Sequence, residues 1–357
     1  MLTASYQKHL LKFKLPGGTS RGVLKTKETF FIILKDKSQK GIGECALFRG
    51  LSIDDCSAYE KKLKWVCDHI DLGVEALYDE LVEFPSIQIG LETAFKSLAS
   101  QDLFRIFPSE FSNGNDNISI NGLVWMGSES FMKQQISVKL AQGFRCIKMK
   151  IGAIDFDVEM NLLKSIRKEY SSSDIELRVD ANGAFSPSEA LEKLKWLSEF
   201  ELHSIEQPIK QGQWQEMARL CEDSPLAIAL DEELIGVFSE KEKLELLNTI
   251  HPQYIILKPS LIGGFRGSDD WISYSENKNI GWWITSALES NIGLNAIAQY
   301  SHTKSSKLPQ GLGTGSLFTN NIPSPLEVCN GNLYYNTNKK WNFSGANCIL
   351  VSLAFSS

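Results

Sequence analysis

The stretch IELRVDANG, Ile175–Gly183, alternates strictly before it ends in charge. Ile175, Leu177 and Val179 fall on one face of a strand, with Glu176, Arg178 and Asp180 on the other. The apolar face must meet helices, so Asp180 points away from them at the strand's C-terminal end. Working outward, similar β segments recur: Asn117–Val124, Phe144–Lys150, Leu202–Glu206, Leu226–Asp231, Tyr254–Lys258 and Gly281–Thr285. Amphipathic stretches separate them, as in Met160, Leu163, Ile166 and in Ala190, Leu194, Leu197. Ser186-Pro187-Ser188-Glu189 has the form of a capping box that opens one such helix. This sustained β-α alternation predicts an α/β fold with a parallel sheet, either doubly wound or closed into a barrel.

Five consecutive segments end in Lys150, Asp180, Glu206, Asp231 and Lys258, spaced 25 to 30 residues apart. One strand-helix unit has that length, so these side chains recur at one level, which in a barrel is the C-terminal rim. Lys148 shares a face with Lys150. A single charge at a strand end is ordinarily a cap or a solvated loop residue; five facing inward are hard to assign that way. Three carboxylates meeting in one mouth repel unless a cation joins them. Oxygen donors without a nearby histidine or cysteine cluster suit Mg²⁺, with Mn²⁺ as the alternative ion. Lysines beside such a site fit removal of a proton α to a carboxylate.

Before residue 110 the reading is α+β. Thr29–Lys35 and Gly41–Leu47 suggest a hairpin or meander, and Ser52–Asp55 opens a helical stretch toward His69. The seam lies near Gln101–Asn117. Residues 1–110 are expected to form one domain, completed by a tail, 316–357, that folds back on it. Residues 111–315 form the other domain, and Gly331–Phe343 is a hairpin candidate in the tail.

With 37 basic and 43 acidic residues, the chain does not have the charge of a nucleic-acid or anionic-membrane binder. No apolar run approaches the roughly 18 residues of a membrane span, and a cytoplasmic location is expected. Seven cysteines (45, 56, 67, 146, 221, 329 and 348) show no pairing pattern. His203, three residues before Glu206, is expected to pack outward against a helix.

The ordered set Lys148-Met-Lys150-Ile-Gly, Val179-Asp180-Ala-Asn182-Gly, Ile205-Glu206-Gln-Pro208, Leu230-Asp231-Glu232-Glu and Leu257-Lys258-Pro resembles the enolase superfamily, muconate-lactonising-enzyme subgroup. Within it, Thr285–Leu294, Gly43-Glu44-Cys45 and Phe48–Ile53 are most similar to the o-succinylbenzoate synthase family. The resemblance implies a modified (β/α)₇β TIM-like barrel under an α+β capping domain. It further implies Asp180, Glu206 and Asp231 as Mg²⁺ ligands, Lys150 as the base and Lys258 as enediolate stabiliser. Lys148 would sit near the carboxylate of a small-molecule substrate, and Asn182, Ser286 and Gly313 would contact that substrate. The activity implied is dehydration of 2-succinyl-6-hydroxy-2,4-cyclohexadiene-1-carboxylate in menaquinone synthesis.

Alternatives are an N-acylamino acid racemase, a dipeptide epimerase, or a non-catalytic binding module on the same fold. Gly311–Gly315 lacks the Asp-x-Asp of the dipeptide epimerases, and no histidine stands near Ser286. Ser20-Arg21-Gly22 and Arg49 are weighed as covers for the mouth against plain solvation. Nothing in the sequence indicates an oligomeric state.

Overall fold

The computed structural model describes residues 1–19 and 22–343, so Ser20, Arg21 and Cys348 lie outside the described residues. The chain begins with β1 (Thr3–Thr19), β2 (Gly22–Asp36) and β3 (Gln39–Cys45), an antiparallel sheet in the order β1-β2-β3. The hairpin read from Thr29–Lys35 and Gly41–Leu47 is β2-β3, with Ile33 opposite Ile42. β1 was not anticipated; it pairs with β2 from Thr3↔Lys35 onward.

Three helices follow: α1 (Tyr59–Asp68), α2 (Gly73–Asp79) and α3 (Pro85–Ala99). Ser52–Asp55 does not open a helix. The Ser52 hydroxyl accepts backward from Phe48 N at 2.9 Å, and Asp54 Oδ2 accepts from Ser86 N and Oγ. Those side chains fasten a turn, and the helix starts at Tyr59. α3 lies directly on β3, because a Cβ on Gly43 would sit 1.9 Å from Gly90 O. Phe30, Ile32, Leu34, Leu63, Leu91 and Ala94 fill this part's own core.

Beyond residues 101–116, which hold no helix or strand, the alternation sets in with β4 (Asn117–Ser119), β5 (Gly122–Val124), α4 (Glu129–Ala141) and β6 (Cys146–Lys150). It continues as α5 (Phe156–Glu169), β7 (Glu176–Asp180), α6 (Pro187–Ser198), β8 (Ser204–Glu206), α7 (Trp214–Asp223) and β9 (Ile228–Leu230). The last units are α8 (Glu240–Ile250), β10 (Tyr254–Leu257), α9 (Gly264–Glu276), β11 (Gly281–Ile284) and α10 (Asn291–Thr303). At α6 the capping box is present, with Ser186 N donating to Glu189 Oε1 and Pro187 at the first helical position.

β5 to β11 form one seven-stranded parallel sheet in chain order. Gln310 and Gly311 close the ring as a minimal eighth strand, through parallel bridges Ile120↔Gln310 and Thr285↔Gly311. This is the (β/α)₇β barrel under a capping domain, and it excludes the doubly wound alternative. Ile147, Leu177, Val179, Ile205, Ile228, Ile255 and Leu257 face the helices in its core.

The segment read as one strand, Asn117–Val124, divides at Ile120-Asn121. Its first half joins a separate sheet with β12 (Leu326–Cys329) and β13 (Asn332–Tyr335). The tail hairpin therefore turns at Asn330-Gly331, both at positive φ, rather than beginning there. The tail also meets the N-terminal sheet. Lys14 N donates to Leu317 O and Thr319 N to Lys12 O, each at 2.8 Å. Trp341 and Phe343 stack with Phe104.

Two carboxylates join capping domain and barrel. Glu44 on β3 accepts from Ser290 N (2.9 Å) and Gly293 N (2.8 Å), in the first turn of α10. Glu92 on α3 accepts from Phe265 N (2.6 Å) and Arg266 N (3.3 Å), in the first turn of α9. Each satisfies amides that a helix cannot bond internally.

Candidate active site

Lys150, Asp180 and Glu206 are register partners across β6, β7 and β8, so the strand ends bring them level. Asp231 and Lys258 follow the last residues of β9 and β10. Lys148 Nζ reaches Asp180 Oδ2 at 2.8 Å and also pairs with Glu206. Lys150 Nζ donates to Asp180 Oδ2 at 2.8 Å and to Asn182 Oδ1 at 2.6 Å. Lys258 pairs with Asp231. Five of the six rim side chains are buried, and Lys258 is partly buried.

Burial opposes ionisation of Asp180, yet Lys148 and Lys150 outweigh it and hold its carboxyl well below the usual range. Asp231 is held down in the same way against burial by Lys258 and Lys148. Glu206 goes the other way: burial, then the neighbouring Asp180 charge, drives it well above the usual range. Lys148 and Lys258 stay strongly basic, since carboxylates at Asp180 and Glu206, and at Asp231 and Glu206, overcome their burial.

Glu206 Oε1 is buried without a hydrogen-bond partner. Among the described residues, no three acidic, histidine or cysteine side chains form a ready-made metal-holding group. The lysine ammoniums lie between the carboxylates instead. An orphaned carboxylate oxygen beside two ionised aspartates offers oxygen donors of the kind that fit a hard divalent cation.

The remaining sequence candidates line the same cavity as Lys148, Lys150 and Lys258. Asn182, at φ 44°, bridges Lys150 and Glu232, donating from Nδ2 to Glu232 Oε1 at 3.0 Å. Ser286 Oγ donates to Glu289 Oε2 (2.5 Å) and accepts from Thr314 Oγ1 (2.8 Å). Gly313 lies in the stretch after the closing strand. Gly311 has no room for a side chain, as its Cβ would meet Thr285 Oγ1 at 2.4 Å. The glycine-rich segment is thus a barrel seam rather than a nucleotide loop.

Arg49 does not cover the mouth; it is half-exposed and bound to Glu28 and Asp55. Phe48 and Leu51 of its loop line the cavity, together with Leu24 and Trp125. Sequence reasoning missed these apolar residues, along with Glu289, Thr314 and Lys139. Glu289 falls inside the quoted Thr285–Leu294 stretch, but nothing in its spacing marks it.

Two residues below the rim, the barrel interior is polar again. Arg178 Nε pairs with Glu176 Oε1 at 2.7 Å, Nη1 donates to Pro309 O, and the guanidinium lies 4.2 Å from the Trp283 ring centre. His203 belongs here rather than against an outer helix: its ring is 4.8 Å from Tyr254 and 6.1 Å from Trp283. β8 starts only at Ser204, so His203 precedes the strand and escapes its alternation.

Residues 132–339 match the family model described as enolase C-terminal domain-like, more than half of the chain. The chain belongs to the enolase superfamily. The o-succinylbenzoate synthase of Desulfotalea psychrophila is 47% identical, with 92% of this chain and 97% of that protein covered. The crystal structure of MenC from the same organism superposes at a TM-score of 0.84 with 42% identity, covering 93% of this chain and 99% of that one. A dipeptide epimerase from Enterococcus faecalis, solved with Mg and a dipeptide, shares the fold at a TM-score of 0.81, 17% identity and coverages of 93% and 96%. Within the superfamily, the high identity thus lies on the synthase side.

Proposed function

We propose that this chain catalyses the o-succinylbenzoate synthase reaction, dehydrating 2-succinyl-6-hydroxy-2,4-cyclohexadiene-1-carboxylate to 2-succinylbenzoate, a step in menaquinone synthesis. The observation that carries it is the rim, where three lysines interleave with three carboxylates at the floor of an apolar-roofed cavity. The near-full-length relative with that activity supports the choice of substrate.

Asp180, Glu206 and Asp231 would hold Mg²⁺, or Mn²⁺, whose chemistry when bound is Lewis-acid stabilisation of the enediolate. Lys150 takes the proton from C1 of the ring. Now protonated, it gives a proton to the departing C6 hydroxyl on the same face, so water leaves and the ring becomes aromatic. Lys258, kept cationic by Asp231, places positive charge beside the enediolate as it forms. Lys148 holds Asp180 and Glu206 in place and adds a second cation at the carboxylate. Asn182 helps Asp180 orient Lys150, accepting from its Nζ. Phe48, Leu51 and Trp125 keep water from the intermediate.

The test is an assay of the purified protein with the cyclohexadiene and Mg²⁺. Diene absorbance should be lost as the aromatic acid appears; a chelator should stop the reaction and added Mg²⁺ restore it. Rapid α-proton exchange on N-succinylamino acids without any dehydration would overturn the reading in favour of a racemase.

A further inference from the structure

Four lysines line the rim cavity: Lys139, Lys148, Lys150 and Lys258. The last three are paired with rim carboxylates. Lys139, on α4, is different. Among the described residues its ammonium makes no ion pair or hydrogen bond, and its neighbour is the Phe144 ring, 5.0 Å from Nζ. It is half-buried, and that burial alone draws its pKa below the ordinary lysine value. An unpaired, partly desolvated cation in a cavity wall is a cost to folding unless an anion meets it.

The position of Lys139 follows from the way the barrel closes. Ile120 and Gln310 form the last bridge between the first strand and the closing segment, with Asn121 N donating to Gln310 O at 3.0 Å. Above that rung, among the described residues, no bridge joins β5 to residues 312–316. Gly122 faces α4 with no side chain, and a Cβ there would lie 3.2 Å from Lys139 Cγ and Cδ. The Lys139 stem therefore lies across the strand at the opened seam. A second cavity, beneath the tail hairpin, shares Lys139, Phe144, Gly313 and Ser316 with the rim cavity. Buried Lys27 is a weaker case: it donates to Ala46 O and is faced by Glu289 and Glu44.

We propose that Lys139 is a specificity-determining residue that receives the distal carboxylate of a dicarboxylate substrate at this seam. The inference rests on the dehydration reading above. In that substrate the ring carboxylate is at the reacting carbon, while the second ends a ketone-and-two-methylene arm. With Lys148, Lys150 and Lys258 committed to the rim, Lys139 is the cavity lysine left for the arm. Arm binding is remote from the bond changes and equal in ground and transition states, so it acts on KM.

The experiment compares wild type, Lys139→Met and Lys139→Arg on the natural dicarboxylate and on its distal carboxamide. Lys139→Met keeps the stem over Gly122 and removes the charge. For the dicarboxylate its KM should rise about 10- to 100-fold, the worth of a charge-assisted hydrogen bond, with kcat within about threefold. Lys139→Arg should retain most of the affinity. On the carboxamide, wild type should already be weakened and Lys139→Met should add little. An unchanged KM in Lys139→Met, or an equal penalty on both substrates, overturns the assignment. Should Lys139→Met fail to fold, Lys139→Arg against Lys139→Gln reads the same charge dependence. Wild type that dehydrates neither compound would instead defeat the parent reading.

Discussion

Arg178 and Asp180 stand two residues apart on β7, both point into the barrel, and both are almost wholly buried. Around Arg178 the charges are arranged to be inert: Glu176 pairs with it, Pro309 O accepts from it, and Trp283 covers its face. Around Asp180 two ammoniums crowd one carboxylate oxygen, while Glu206 nearby keeps an oxygen with no partner. Each layer, the floor around Arg178 and the rim around Asp180, keeps one buried polar atom without a partner, Nη2 of Arg178 and Oε1 of Glu206. The difference is that the rim crowds several opposite charges together. A crowded set of charges can exchange a proton or take up a cation; a guanidinium held by one carboxylate, one carbonyl and a ring face holds a shape. Depth alone does not decide which network a residue joins: Lys148 on β6 is the register partner of Arg178, yet its ammonium reaches Asp180 and Glu206.

Breaking the rim should stop chemistry and spare the fold. Lys150→Ala should cut turnover at least about 10³-fold, the scale of a lost general base, with a thermal midpoint near wild type. A destabilised but still active Lys150→Ala would erase the distinction. Breaking the floor should do the reverse. Arg178→Met strands Glu176 and uncovers Trp283, at a cost of about 3 kcal/mol in denaturant titrations, while turnover per folded molecule persists.

The smallest effect concerns His203. Burial lowers its pKa below the ordinary 6.5, with Glu176 opposing and Arg178 assisting. The folded state then binds fewer protons than the unfolded chain just below that value, so stability is lost as the pH falls through that window. His203→Leu should flatten that fall by under about 1 kcal/mol, since part of the ring is solvated. Chemical denaturation at several pH values would read the slope, and an unchanged slope would remove His203 from the floor.

The strand ends were legible because alternation and unit length act together on Lys150, Asp180, Glu206, Asp231 and Lys258. The same alternation puts Arg178 on the inner face, and no periodicity says that its guanidinium turns to Glu176 and Pro309 O instead of the rim. β1 escaped notice because its polar and apolar residues fall on both faces. The split of Asn117–Val124 was not legible either, as it depends on β13 arriving from more than 200 residues downstream. Lys139 is one lysine among several on an amphipathic helix, and only the failure of the seam to pair above Gln310 gives it a place in the cavity. Ser20 and Arg21, weighed as covers for the mouth, fall outside the described residues.

Glu44 and Glu92 complete helices to which they do not belong. A barrel cut away from its N-terminal part would start α9 and α10 with bare amides, at the two helices that flank the last full strand. The capping domain is therefore no portable module. A chimera that borrows a relative's cap to change substrate choice must carry a carboxylate at both positions, or the graft will loosen the barrel it was meant to redirect.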